Sequence, residues 1–149
     1  MTKHILSAFA AFTGIANSAF GQDIPQNQIP SVILNRFKVD FPRAGDVEWE
    51  MEGNRYHVEF ETGRSNDHDI WYTASGEVDK HIEEISGSDL PGAILKKLRK
   101  DFKEYSTDDV EKVTKPSGTV YCIELDSHSR PDLKVTMDPE GRILEQTED

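Results

Sequence analysis

The feature that most restricts the fold of this chain is an internal repeat. Residues 29–34 read Ile-Pro-Ser-Val-Ile-Leu, and residues 90–95 return to the pattern as Leu-Pro-Gly-Ala-Ile-Leu, 61 positions later. Further along, residues 56–60 match residues 121–125 at an offset of 65. A drift of four positions is what a loop insertion produces. The sequence therefore predicts two copies of one unit of about 60 residues.

Each copy opens with a pattern typical of an amphipathic helix. Apolar residues recur every three or four positions over residues 29–41 and again over residues 90–102. Pro30 and Pro91 fall in the first turn, where the missing amide hydrogen removes no helical hydrogen bond. Pro42 is expected to end the first helix.

The remainder of each copy alternates between apolar and polar residues, which indicates strands. Residues 47–52 and 55–61 flank Gly53-Asn54, a hairpin signal, and further strands are predicted around residues 69–73 and 77–85. In the second copy the corresponding strands are predicted at 110–114, 119–125, 133–137 and 142–146. The predicted fold class is α+β: two tandem repeats, each a helix plus four antiparallel strands, forming one continuous eight-stranded sheet with the helices on one face.

The first segment of the chain is predicted to lie outside this fold. Residues 1–21 have a positive start, an apolar run and small residues near the end, as in a secretory signal peptide cleaved before Gln22. The apolar run is too short for a stable membrane span. We therefore expect export, with the mature chain forming repeats at 22–86 and 87–149 in one compact domain.

Charge and cysteine content exclude several classes of protein. The chain has 17 basic and 28 acidic residues, a formal net charge of -11, whereas nucleic-acid binding needs a basic face. Cys122 is the only cysteine, so an intramolecular disulfide and a zinc or redox Cys pair are both excluded. Its strand-like surroundings favour a half-buried structural residue over a nucleophile.

These features together resemble a known family. The signal segment, the repeated helix-plus-strands unit, the turns at Ser75-Gly76 and Glu140-Gly141 and the aromatic-acidic strands are similar to the PepSY-like, beta-lactamase-inhibitor-protein-like domains. The resemblance covers roughly residues 27–147. It implies a secreted Gram-negative protein: a periplasmic, non-catalytic module that binds a protein or small ligand on its sheet. The inhibitors present a concave sheet face to an enzyme, but this chain lacks their disulfides, so inhibition of a beta-lactamase itself is not expected.

The alternation predicts which side chains form a binding surface. Trp49 is in phase with the core, whereas the binding residues predicted to point outward are Arg55, His57, Glu59, Trp71 and Thr73. An exposed Trp71 beside Arg and His is typical of an interface. The alternative for Trp71, equally open, is that it covers an edge or packs against the second repeat.

The acidic residues could carry other chemistry. Outward acids at 48, 50, 59 and 61 could pair as in a glycosidase, but solvated charge is favoured because a flat face offers no desolvation. Residues 66–69, including Asp67 and Asp69, are expected to form a polar hairpin loop, with a metal site there as the weaker alternative. No catalytic residue, metal ligand or cofactor is predicted. The alternative functions are an acidic cation-binding periplasmic protein and, second, a hydrolase.

Overall fold

A computed structural model describes residues 21–64 and 66–149. Almost all of the predicted signal segment, residues 1–20, lies outside the described residues. Within these residues the helices are α1 (Ser31–Asp40) and α2 (Gly92–Asp101), and short 3-10 turns precede them at Gln26–Gln28 and Gly87–Asp89. The strands are β1 (Gln22–Asp23), β2 (Gly45–Glu52), β3 (Arg55–Thr62), β4 (Asn66–Tyr72), β5 (Val78–Glu84), β6 (Ser106–Lys115), β7 (Gly118–Asp126), β8 (Leu133–Met137) and β9 (Ile143–Glu148).

The strands form one antiparallel sheet in which spatial order follows chain order from β1 to β9. The first repeat contributes α1 and β2–β5, the second contributes α2 and β6–β9, and β5 pairs with β6 across the boundary. This confirms the α+β class and the tandem plan. The predicted count of eight strands is wrong: the structure has a ninth, because Gln22 and Asp23 pair with Met51 and Glu50 at the free edge of β2. Two residues are too few to show an alternating pattern.

Both helices lie on the same side of the sheet as the two hydrophobic cores. In the first repeat, Ile33 and Phe37 of α1 share a buried core with Trp49, which the sequence predicted to be a core residue. The rings of Trp49 and Phe37 pack edge to face with their centroids 5.4 Å apart. The second repeat buries Ile94 of α2 in the equivalent core. No helix in the described part of the chain is long and apolar enough to cross a membrane.

A glycine in each repeat lets the last turn approach the helix. Gly76 and Gly141 have φ angles of 87° and 82°, in the left-handed region that favours glycine. A Cβ on Gly141 would stand 2.9 Å from the carbonyl oxygen of Ala93, at the start of α2. A Cβ on Gly76 would meet Val32 of α1 at 3.2 Å. The repeated turn motif therefore packs each final hairpin onto the helix of its own repeat.

The hairpin loop predicted at residues 66–69 is not a loop. Strand β3 continues to Thr62, which pairs with Asn66, so the chain turns at Gly63 and enters β4 three residues earlier than the alternation indicated. Asp69 therefore lies within the sheet, opposite Glu59. The stretch was predicted to be a loop because it is polar, but it forms a strand that pairs with β3 and β5.

Candidate binding site on the outer face

The side of the sheet opposite the helices is called the outer face here. Since Val58, Phe60, Ile70 and Tyr72 belong to the core under α1, the residues that alternate with them on β3 and β4 must point to the outer face. Among these, His57, Asp69 and Trp71 are buried, although strand positions facing away from a core are usually exposed. Their burial indicates that these side chains pack together in an ordered cluster.

Four residues in one register row form the centre of this site. Glu50 of β2 lies opposite His57 of β3, His57 opposite Trp71 of β4, and Trp71 opposite Lys80 of β5. The His57 and Trp71 rings stack with centroids 4.2 Å apart and planes inclined by 8°. The ammonium of Lys80 lies 3.7 Å from the centre of the Trp71 ring, a cation–π contact. Trp71 is thus held between a ring and a cation.

Two carboxylates hold the aromatic pair in place. The Asp69 carboxylate accepts a 2.6 Å hydrogen bond from Nε2 of His57, and Oε2 of Glu52 accepts a 2.7 Å bond from Nε1 of Trp71. Charge-assisted bonds of this kind are shorter and stronger than neutral ones. We call the six residues Glu50, Glu52, His57, Asp69, Trp71 and Lys80 the His57 cluster.

The second ring nitrogen of His57 has no hydrogen-bond partner among the described residues. Nδ1 is buried and faces Oε1 of Glu52 at 3.4 Å and Oε2 of Glu50 at 3.7 Å. Burial lowers the pKa of His57, but the hydrogen bond and charge of Asp69, with the charges of Glu52 and Glu59, outweigh it and raise the pKa. The cluster therefore favours a positive charge at this imidazole.

Apolar side chains continue the outer face toward the second repeat. Ile82 of β5 lies opposite Val113 of β6, and Val113 lies opposite Val120 of β7. All three are half-buried, and they form an aligned strip that we call the central row. The central row begins beside the His57 cluster, because Asp69 pairs with Ile82.

Beyond the central row lies a buried acid. Glu111 of β6 is buried between Glu84 and Cys122, its register partners on β5 and β7. Burial, and then the charges of Asp109 and Asp69, raise the pKa of Glu111 to about 7. Cys122 is buried, more deeply than the predicted half-burial, and its thiol is 3.7 Å from the hydroxyl of Thr136. The pKa of the thiol is raised, chiefly by burial, which disfavours the nucleophilic thiolate.

The five predicted binding residues have different places in the structure. His57 and Trp71 point to the outer face as predicted, but the expected exposure of Trp71 is wrong: only 8% of it is accessible, because His57 and Lys80 cover its two sides. Glu59 is exposed on the same face. Arg55 is bound to Asp79 at 2.8 Å. Thr73 follows the end of β4 and bonds within the turn, where its hydroxyl accepts from the amide of Glu77.

Four residues of the His57 cluster were not among the predicted binding residues: Glu50, Glu52, Asp69 and Lys80. Asp69 begins the strand predicted at residues 69–73 and is two positions before Trp71, so alternation alone places it on the outer face, but it was assigned to the polar loop at residues 66–69. Alternation could not place Lys80 on the outer face. The β4–β5 register shifts between the pairs Tyr72–Val78 and Trp71–Lys80, so Lys80 is out of phase with the start of its strand.

The geometry defines an α+β protein with two tandem repeats and a preformed cluster on the open side of one sheet. The family model "Putative beta-lactamase-inhibitor-like, PepSY-like" matches residues 18–78 and again residues 54–145. The chain belongs to this PepSY-like family. A search of the curated proteins gave no match.

Solved structures from Bacteroides share this fold. A BLIP-like protein of Bacteroides fragilis NCTC 9343 has a TM-score of 0.65 at 18% identity, over 84% of this chain and 87% of that one. A DUF2874 family protein of Bacteroides ovatus ATCC 8483 has a TM-score of 0.64 at 17% identity, over 80% and 86%. A "putative periplasmic protein" of Bacteroides eggerthii DSM 20697 has a TM-score of 0.65 at 18% identity, over 80% and 88%. At these identities the likeness is one of fold.

Proposed function

We propose that this protein is a periplasmic, non-catalytic binding module that holds a protein partner on the outer face, over the central row and the His57 cluster. The observation that carries the proposal is the stack of His57, Trp71 and Lys80 beside aligned aliphatic side chains. Interfaces combine an apolar centre with a polar rim, and aromatic anchors contribute much of their binding energy. Side chains that are already ordered lose little entropy when a partner binds.

Charge on the outer face indicates the chemistry of that partner. Arg55 forms an ion pair with Asp79, and Lys80 lies over the Trp71 ring. The acids of this face include Glu48, Glu50, Glu52, Glu59, Asp69, Glu84 and Glu111. A partner with a basic segment is complementary to this surface, and its binding should weaken as salt screens the charges. The beta-lactamase-inhibitor-like family name and the BLIP-like relative support a protein as the occupant.

The periplasmic part of the proposal has separate support. It comes from the signal-like segment at residues 1–21 and from the Bacteroides eggerthii relative described above. Cell fractionation with detection of the mature N-terminus would test it: we expect the protein in the periplasmic fraction, starting at Gln22. A full-length product in the cytoplasm would contradict this part alone.

Site-specific photo-crosslinking tests the binding surface. A photoreactive amino acid replaces Val113 in the central row, and the matched control replaces Val39, which is 78% exposed on α1 on the other side of the sheet. We expect a discrete adduct only from position 113. Mass spectrometry should identify the cross-linked peptide as basic, and the yield of the adduct should fall at high salt. Pull-downs with Trp71→Ala and His57→Ala should recover less of the same protein.

Three outcomes would overturn the proposal. Equal adducts from positions 113 and 39 would show nonspecific contact. An adduct with an acidic or salt-insensitive partner would remove the electrostatic argument. The absence of any adduct would favour the small-ligand alternative over a protein.

A further inference from the structure

We propose that Glu50, Glu52 and Nδ1 of His57 bind one divalent transition-metal ion, with zinc as the probe. The site lies at the β2–β3 end of the outer face and does not depend on the protein-binding function proposed above. The carboxylate oxygens and the imidazole nitrogen of this set all lie within 4.8 Å of one another. Carboxylate and neutral imidazole are both ligands of zinc in proteins.

The distances around Nδ1 fit a shared ion better than direct hydrogen bonds. Nδ1 is 3.4 Å from Glu52 and 3.7 Å from Glu50, longer than the roughly 2.7–2.9 Å of a charge-assisted N–H···O bond. Ligand atoms about 2.1 Å from a tetrahedral zinc ion are about 3.4 Å from one another. Both distances from Nδ1 are therefore close to the spacing that one such ion imposes, and the two carboxylates lie within 4.8 Å of each other.

The tautomer of His57 also fits metal binding. Because Asp69 accepts a hydrogen bond from Nε2, Nδ1 is the nitrogen that releases its proton when zinc binds, and its lone pair then faces two carboxylates. Metal-bound His side chains commonly donate their other N–H to a carboxylate, which orients the ring and makes the ligand more basic. Asp69 has this supporting position, and the stacked Trp71 ring fixes the plane of the imidazole.

Glu52 is oriented by a contact of its own. Trp71 donates to Oε2 of Glu52, so the other oxygen, Oε1, is the one directed at His57. The side chains of Glu50 and Glu52 are 32% and 27% exposed, which leaves solvent a route to the site. Three protein ligands with one open position would let water complete a tetrahedron.

A second group of donors on the same ring offers a rival arrangement. His57, Glu59 and Asp69 also lie close enough for one ion. Binding there would take place through Nε2 and would break the 2.6 Å bond to Asp69. The structure therefore favours Nδ1, and variants of Glu59 separate the two arrangements.

Isothermal titration with zinc tests the site in the full chain, with calcium as the competing probe. We expect one zinc per chain and no comparable calcium binding, since calcium prefers oxygen ligands alone. Glu50→Gln and Glu52→Gln should each weaken zinc affinity at least about 10-fold, because each removes a charged ligand and keeps its size. Glu48→Gln, on the same strand and face, is the matched control and should leave the affinity within about twofold.

Two readouts place the ion on the correct nitrogen. Imidazole nitrogen chemical shifts from NMR should report zinc on Nδ1, and Glu59→Gln should change the affinity little. A thermal melt of each variant without metal controls for folding, and zinc should raise the melting temperature only where Glu50, Glu52 and His57 are intact.

Each other result contradicts the proposal. Binding of less than one zinc ion per chain would indicate diffuse attraction to acidic groups. Equal losses of zinc affinity in Glu48→Gln and Glu50→Gln would indicate the same. Loss of binding with Glu59→Gln alone, or zinc on Nε2, would assign the ion to the rival donors. Failure of zinc binding would leave the cross-link at position 113 unaffected, so the two proposals fail separately.

Discussion

The Asp69 carboxylate accepts a 2.6 Å hydrogen bond from His57 on the neighbouring strand, and both side chains are buried on the sheet face opposite the helices. A buried carboxylate is costly unless a hydrogen bond or an opposite charge compensates it. The pair therefore depends on both members.

His57→Phe should destabilise the protein, because it preserves a ring against Trp71 but leaves Asp69 without its partner. Removing one member of a buried charged pair costs about 3 kcal/mol or more. Denaturant unfolding at neutral pH measures the change. The control is Arg55→Gln, which breaks the part-exposed pair with Asp79 and should cost under about 1 kcal/mol. Similar losses in both variants would contradict the view that Asp69 depends on His57.

Glu111→Gln should stabilise the protein at alkaline pH. Burial raises the pKa of Glu111 from 4.5 to about 7, so the native state holds a proton between these values that the unfolded chain has lost. Native stability therefore falls as pH rises from 4.5 to 7, by up to about 3 kcal/mol. Unfolding at pH 8 should show most of this gain in the variant and unfolding at pH 4 little of it. Glu140→Gln, in an exposed turn, should have no such pH dependence.

A His pair on the helix side of the sheet should make stability depend on pH in the direction opposite to Glu111. Nδ1 of His68 is 3.0 Å from Nε2 of His81, and the hydroxyl of Thr62 is 2.7 Å from the other nitrogen of His68. Burial and then the neighbouring His68 lower the pKa of His81 from 6.5 to about 4, with Glu83 and Asp69 opposing this and Lys112 adding to it.

The unfolded chain therefore binds this proton between pH 6.5 and 4, whereas the native state does not. Stability should fall by up to about 3 kcal/mol as the pH is lowered through that range. His81→Gln can still hydrogen-bond to His68 and should remove most of the difference, as measured by unfolding at pH 7 and pH 4. A wild type and variant with parallel pH profiles would show that His81 is protonated in the native state.

Gly141→Ala should destabilise the second repeat, since the residue has a φ of 82° and its Cβ would crowd the carbonyl of Ala93. Left-handed backbone at a residue other than glycine costs on the order of 1–3 kcal/mol, before the crowding is added. Gly92→Ala is the control: it lies at the start of α2 with open space around it, so it should be neutral or slightly stabilising. Thermal unfolding that ranks the two variants equally would contradict the packing described for this turn.

The sequence by itself determined the repeat, the two helices, most strands and the face to which each aromatic points. These follow from short-range periodicity: Trp49 is in phase with its apolar neighbours and lies in the core, whereas Trp71 is out of phase and lies on the outer face. Alternation decides direction because successive strand residues point to opposite sides.

Only the tertiary structure decided which outward residues are buried and what they touch. Trp71 is covered because strand register places His57 on one side and Lys80 on the other, and the β4–β5 irregularity that aligns Lys80 leaves no pattern in the sequence. Likewise, only the structure shows that Asp69 is buried and bound to His57, and that its charge acts on Glu111 in the other repeat. Register and burial depend on contacts between residues distant in the chain, so periodicity within one strand cannot specify them.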